Sequence, residues 1–101
     1  KNQDMIRHTV AFKLIHPENS AEEKAFLSAI VRLSGIPGVT NLELLEQTSP
    51  KNNFDYGLSM EFATAKEYED YNRHPDHVRF VETFWKTEVS DFLELDYEPM
   101  I

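Results

Sequence analysis

Between residues 5 and 14 every second side chain belongs to one face: Ile6, His8, Val10, Phe12 and Leu14 alternate with Arg7, Thr9, Ala11 and Lys13. A period of two is that of a half-buried strand, because successive side chains of an extended backbone point to opposite sides. The same period returns at Phe54, Tyr56, Leu58, Met60 and Phe62, set against Asp55, Gly57, Ser59 and Glu61. Between and after these strands the apolar spacing changes to that of a helix. Ser20 followed by Glu23 has the form of a capping box. Phe26, Leu27, Ile30, Val31 and Leu33 then recur at helical spacing to about Ser34, where Gly35 stops the pattern. Residues 39–47 read as a strand entered through Pro37-Gly38, and Pro50-Lys51-Asn52-Asn53 as a turn. Thr64 can cap a helix to about Asn72, a further helix spans residues 76–88, and residues 92–97 form a last short strand closed by Pro99.

The resulting order is strand, helix, strand, strand, helix, strand, with the second helical unit broken at Pro75. Two split strand-helix-strand units predict an α+β fold of ferredoxin-like βαββαβ type, a four-stranded antiparallel sheet with helices on one face. The other face then carries Arg7, Thr9, Ala11 and Lys13 with Gly57 and Ser59. A homodimer through this open sheet face, closing a dimeric α/β barrel, is the economical way to cover it. A chain of 101 residues is one domain, expected over residues 5–101, with residues 1–4 a loose N-terminus. The formal net charge of −8 argues against nucleic acid and anionic membrane surfaces as partners. No apolar run approaches the ~20 residues of a membrane span. No secretory leader pattern is present and the lack of cysteine leaves the redox character of the compartment open, so a cytoplasmic location is the default expectation.

Chemistry concentrates in Asp70-Tyr71-Asn72-Arg73-His74-Pro75-Asp76-His77-Val78-Arg79-Phe80. Tyr71 ends one helical pattern and His77 opens the next, so a phenol and an imidazole meet at a helix-helix corner. An imidazole titrates near neutrality and a phenol donates a strong hydrogen bond, which suits acid/base work. From His77 the stripe His77, Phe80, Val81, Phe84, Trp85 runs at offsets of three, four, seven and eight, turning His77 toward the buried face. His8 lies in the apolar row of the first strand and Tyr56 in that of the third. These polar-tipped residues all point into the layer between sheet and helices, the usual form of a small-molecule site. His74 and His77 are three apart, a spacing one metal reaches only on an unbroken helix. Pro75 breaks it and no third ligand clusters with them, so no metal is expected.

These residues also carry a resemblance. Met5-Ile6-Arg7-His8-Thr9-Val10-Ala11-Phe12-Lys13-Leu14, the Gly35-Ile36-Pro37-Gly38-Val39 hinge, His74-Pro75-Asp76-His77-Val78 and Asp96-Tyr97 resemble the stress-responsive α/β-barrel (Dabb) domain family. The resemblance implies ferredoxin-like homodimers whose sheets pack into a barrel. It includes a plant polyketide cyclase that closes a linear polyketide thioester into a resorcylic acid without a cofactor, using a tyrosine and a histidine. Tyr71 and His77 match that pair with the same separation. On this resemblance His77 is the general base at carbon next to a carbonyl, and Tyr71 donates to the developing oxyanion. His8 and Tyr56 would orient substrate oxygens, with Val10, Phe12, Phe26, Ile30, Leu58, Phe80, Phe84 and Trp85 as apolar walls. Tyr56 stands where the cyclase has a further histidine, and Phe26, Phe80 and Trp85 can fill the space it leaves for an alkyl tail, so the substrate does not carry over.

Two functions remain open on the sequence. One is a cofactor-free cyclase, aldol-type or isomerase-type enzyme acting on a small hydrophobic oxygenated substrate. The other is a non-catalytic homodimer that binds a small hydrophobic molecule or serves a stress response, with the same residues as polar anchors. Read singly, His8 is a satisfied core histidine, Tyr71 a helix-packing tyrosine, His74 a helix cap, His16 turn surface, and Glu22-Glu23 and Glu67-Glu69-Asp70 solvated helix starts.

Overall fold

In the computed structural model, which describes residues 4–101, the alternation of the first segment becomes the central strand β1 (Ile6–Leu14). Its even-numbered residues are buried and its odd-numbered ones are not, as a one-sided strand requires. Helix α1 (Ala21–Arg32) follows and tightens into a single 3₁₀ turn, Leu33–Gly35. Strands β2 (Thr40–Glu46) and β3 (Tyr56–Phe62) come next. Helix α2 (Ala65–Arg73) gives way at Pro75 to α3 (Pro75–Phe80). A π-helical segment (Val81–Trp85) and a last turn α4 (Lys86–Glu88) lead without a loop into β4 (Val89–Tyr97). The sheet order is β2-β3-β1-β4 with every neighbouring pair antiparallel, which is the ferredoxin-like plan. Asp4 is exposed and belongs to no element, while the rest of the N-terminal segment expected to be loose lies outside the described residues.

The helices start where side chains can satisfy their free N–H groups. Ser20 Oγ accepts from the Glu23 amide, and Thr64 Oγ1 from that of Glu67. His74 caps α3, its Nδ1 accepting from the Asp76 amide at 3.1 Å, with Pro75 in the first turn where no N–H is needed. Glu23 departs from a solvated helix start. It is buried, its Oε1 accepts from the Asn19 amide, and its Oε2 accepts from the Tyr56 hydroxyl. Asn19 sits at φ 66°, and this carboxylate holds the turn that places it there. His16 is pinned, its ring bonded through Nε2 to Glu88 at 2.7 Å.

The core lies between the sheet and the helices. Phe12, Phe26, Ile30, Met60 and Phe62 are fully enclosed, and Phe12 packs against Phe26, Tyr56 and Trp85 with ring centroids 5.1–5.9 Å apart. Val10, although buried, stands outside this contiguous cluster. The outer sheet face is different. Cross-strand pairing sets Tyr97 beside Arg7, Leu95 beside Thr9 and Leu93 beside Ala11, with Leu45 beside Gly57, and all four of these large apolar side chains are about half exposed. Among the described residues no helix is long and apolar enough to cross a membrane.

Two differences from the sequence reading have physical causes. The last strand starts at Val89 rather than Phe92, because its pairing with β1 continues through a register shift to Leu14–Val89. The helix expected over residues 76–88 is interrupted by the π-helical segment. A π turn closes i→i+5 bonds, so the residues after it are rotated relative to an α-helical count. Trp85, not Phe84, therefore shares a face with His77 and Val81.

Candidate functional site

A cavity of about 480 Å³ opens between the sheet and α2–α3, next to Val10. Such a volume suits a small molecule. Apolar walls come from Val10, Leu33, Leu58, Phe80, Val81, Trp85, Val89 and Phe92, and polar groups from His8, Tyr71, Asn72, His77, Lys86 and Glu94. Of the residues expected to form a site, the structure brings His8, Val10, Leu58, Tyr71, His77, Phe80 and Trp85 together here. It does not bring the other five. Phe12, Phe26 and Ile30 are wholly enclosed in the core beneath the cavity. Phe84 is rotated away by the π segment, toward Ala29, Arg32 and Asp76. Tyr56 lies opposite Phe12, four residues along β1 from His8 and on the order of 13 Å away. Its hydroxyl is committed to Glu23, and burial followed by that carboxylate pushes its phenol well above the ordinary range.

Tyr71 and His77 are adjacent, ring centroids 4.4 Å apart and tilted by 45°. Tyr71 is only 2% exposed. Among the described residues no hydrogen bond reaches its hydroxyl, and no fully buried polar side-chain atom lacks a partner, so this oxygen opens onto the cavity. Burial, and then the charge of Glu94, raise its phenol far above the usual value, keeping it a neutral donor.

Pro75 determines the state of His77. A helix leaves its last carbonyls without intrahelical partners. The His74 amide takes the Tyr71 carbonyl and the Asp76 amide turns to the His74 ring, so neither serves Asn72. The Asn72 carbonyl accepts instead from His77 Nδ1–H at 3.1 Å. A carbonyl only accepts, so Nδ1 carries the proton and the lone pair of the neutral ring is on Nε2. Burial lowers the pKa of His77 below its usual 6.5, against the raising effect of the Asn72 carbonyl and with a further lowering by the charge of His8.

A second group lies across Tyr71. His8 is 6% exposed, with its ring centroid 6.4 Å from that of Tyr71. Its Nδ1 lies 2.7 Å from Asp96 Oδ1 and 2.9 Å from the Tyr68 hydroxyl. Tyr68 in turn donates to Asp96 Oδ2 at 2.7 Å, with Glu94 Oε2 3.3 Å away. Burial and then the Asp96 hydrogen bond push the Tyr68 phenol up as well. Sequence reasoning passed over Tyr68 and Glu94. The available signals were the three-residue step from Tyr68 to Tyr71 on one helix face and the alternation of Phe92, Glu94 and Asp96 toward the helices. His8, Glu94 and Asp96 also have ligand atoms within 4.8 Å of one another, a grouping able to hold a small cation. Those atoms are already engaged with each other and with Tyr68.

The model of the stress-responsive A/B barrel domain matches residues 6–99. No curated protein matches the chain significantly. Among solved structures, a Dabb family protein with a ferredoxin-like fold from Mesorhizobium loti is 54% identical, with a TM-score of 0.93 over 96% of this chain and 98% of that one. A protein from Bacteroides fragilis, described as dimeric, ferredoxin-like and of unknown function, is 27% identical, with a TM-score of 0.71 over 98% and 100% of the two chains. A hydroxynitrile lyase from Passiflora edulis shares the fold, with a TM-score of 0.84 at 14% identity over 96% and 94%.

The environment of His77 makes a pH prediction. Its folded pKa lies below the unfolded value, so below pH 6.5 the unfolded chain takes up the proton first. The contribution of neutral His77 to stability is complete above pH 6.5 and is lost as pH falls through its folded pKa. An NMR titration of the ring should give a midpoint below 6.5, and His77→Gln should flatten the acid side of the stability curve. A midpoint at or above 6.5 contradicts the assignment.

Proposed function

The chain belongs to the stress-responsive A/B barrel domain family, and from that premise we propose that it is a cofactor-free acid/base enzyme acting on a small, mainly apolar carbonyl compound. His77 Nε2 is the base that takes a proton from carbon next to the carbonyl. Tyr71 donates its hydroxyl hydrogen to the carbonyl oxygen as negative charge develops there. The observation that carries the reading is the free Tyr71 hydroxyl opening, beside a half-buried imidazole of fixed tautomer, onto one apolar cavity. A neutral base is what proton abstraction near pH 7 needs, and burial favours that form. The low polarity of the walls strengthens the hydrogen bond to an oxyanion. Cyclisation, aldol-type addition and isomerisation all begin with this step, and the resemblance of Tyr71 and His77 to the pair of the plant cyclase supports it. A lyase on the same fold in Passiflora edulis supports the reading by analogy of fold alone.

We also infer that two copies pack through their outer sheet faces. The exposed row Leu45, Leu93, Leu95 and Tyr97 supports this, as does the dimer described for the Bacteroides fragilis relative. A strand edge and an apolar face left open together invite association.

The enzyme reading is tested by solvent deuterium incorporation next to the carbonyl of cyclohexanone and acetophenone. Tyr71→Phe should lower exchange by ~10²–10³-fold, as loss of one oxyanion donor does. His77→Gln should lower it by ~10²–10⁴-fold, the usual share of a general base. Because the Tyr71 hydroxyl makes no hydrogen bond among the described residues, Tyr71→Phe should leave Tm nearly unchanged. Exchange unaffected by either variant, with several degrees of Tm lost in both, assigns the residues to structure. For the assembly, sedimentation at micromolar concentration should give twice the 11.8 kDa chain mass, with Leu95→Lys shifting the mass to the monomer. A monomer mass for the unaltered protein contradicts the dimer.

A further inference from the structure

Glu94 and Lys86 line the cavity toward its opposite ends, and the Tyr71–His77 reaction uses neither. Glu94 pairs with Val10 in the sheet, next along from the pairing of Asp96 with His8, and its Oε2 lies 3.3 Å from the Tyr68 hydroxyl. Its charge raises the Tyr71 phenol, so it belongs to the reacting end. Lys86 is in the turn α4, which leads into β4 at Val89, and Val89 pairs with Leu14. From Val10 to Leu14 is four residues of strand, on the order of 13 Å. Phe92 pairs with Phe12 between these points, and Trp85 packs on both rings at 5.3 and 5.6 Å between centroids. Among the described residues Lys86 is the one Lys or Arg side chain that lines the cavity. The space is therefore negative where the carbonyl reacts, apolar along its middle and positive beyond.

Lys86 Nζ donates to Glu82 Oε2 at 2.7 Å, its one partner among the described residues. Both side chains of this pair are more than half exposed, so the pair itself contributes little to stability. An ammonium has three N–H donors, and those that Glu82 does not take are open to a ligand. A carboxylate on that ligand is repelled by Glu94 at the reacting end and drawn to Lys86 at the other, which aims the carbonyl at Tyr71. Resting on the reading of Tyr71 and His77 given above, we propose that the substrate is an oxo-carboxylic acid and that Lys86 binds its carboxylate. An apolar stem against Trp85 and Phe92 separates the two functional groups. Because Lys86 is exposed, the carboxylate keeps part of its water, and the cost of burying a charge stays small. One ammonium balances one negative charge. A phosphate dianion would leave a second charge uncompensated beside apolar walls.

The test titrates para-acetylcinnamate against its methyl ester, which keeps the ketone and removes the charge. NMR of the His77 ring should register both, since both carry the carbonyl. The acid should bind about tenfold more tightly, the share of one hydrogen bond to a charged group, and molar salt should reduce that preference. Lys86→Gln should abolish the preference by weakening the acid alone, and Lys86→Arg should keep it. Glu82→Gln, which frees the ammonium of its competing carboxylate, should increase it. A structural role for Lys86 would weaken acid and ester equally. No preference for the acid in the unaltered protein, or one that survives Lys86→Gln, overturns the proposal and leaves Tyr71 and His77 untouched. para-Acetylphenyl phosphate should gain less than the carboxylate, and a larger gain overturns the assignment to carboxylic acids. If neither para-acetylcinnamate nor its ester shifts His77, the cavity reading itself fails and this proposal with it.

Discussion

The packing of Phe12 against the helix layer sets the geometry on which the rest depends. Its ring is fully enclosed and meets Phe26, Tyr56 and Trp85 at aromatic contact distances. Pairs of this kind contribute ~0.5–1.5 kcal/mol each beyond the area they bury. They also fix how far the helices stand from the sheet. Two residues along the same face comes Val10, whose smaller side chain does not fill the space that Phe12 fills. The space left over is the cavity. One strand, through the drop in side-chain size from Phe12 to Val10, thus borders both the core and the site.

The polar chemistry follows from a second constraint, the lack of an N–H on Pro75. Breaking the helix there turns the Asp76 amide to His74 and leaves the Asn72 carbonyl free to accept. His77 answers it through Nδ1–H, which leaves the lone pair of the neutral ring on Nε2. The proline is more than a helix stop: it sets the protonation geometry of an imidazole two residues on. His8 is fixed differently, by a carboxylate and a phenol at the edge of the sheet. Two imidazoles held by unrelated devices line one cavity.

Much of this was legible in the sequence because it depends on period and punctuation. The alternation of β1 and β3 is self-evident, the Ser20, Thr64 and His74 caps are local, and Pro75 marks the corner. What was not legible depended on register or on the helix count. Tyr56 has the right face but lies at the wrong end of its strand, and only the pairing of Tyr56 with Phe12 reveals it. Phe84 fits the α-helical stripe, yet a single π segment, which has no plain sequence signature, turns it away. Glu23 looked solvated because its two partners, Asn19 and Tyr56, are a turn and a long-range contact. Tyr68 and Glu94 join His8 only once β4 is laid beside β1.

The central claim is that Tyr71 and His77 act together on a carbonyl compound in the cavity. A crystal structure of the protein soaked with acetophenone measures this most directly. The account predicts the carbonyl oxygen within hydrogen-bonding distance of the Tyr71 hydroxyl and the methyl carbon against His77 Nε2, with the ring between Val10, Leu58 and Trp85. A cavity closed by its own aromatic side chains, or a ligand bound with its oxygen away from Tyr71, contradicts it.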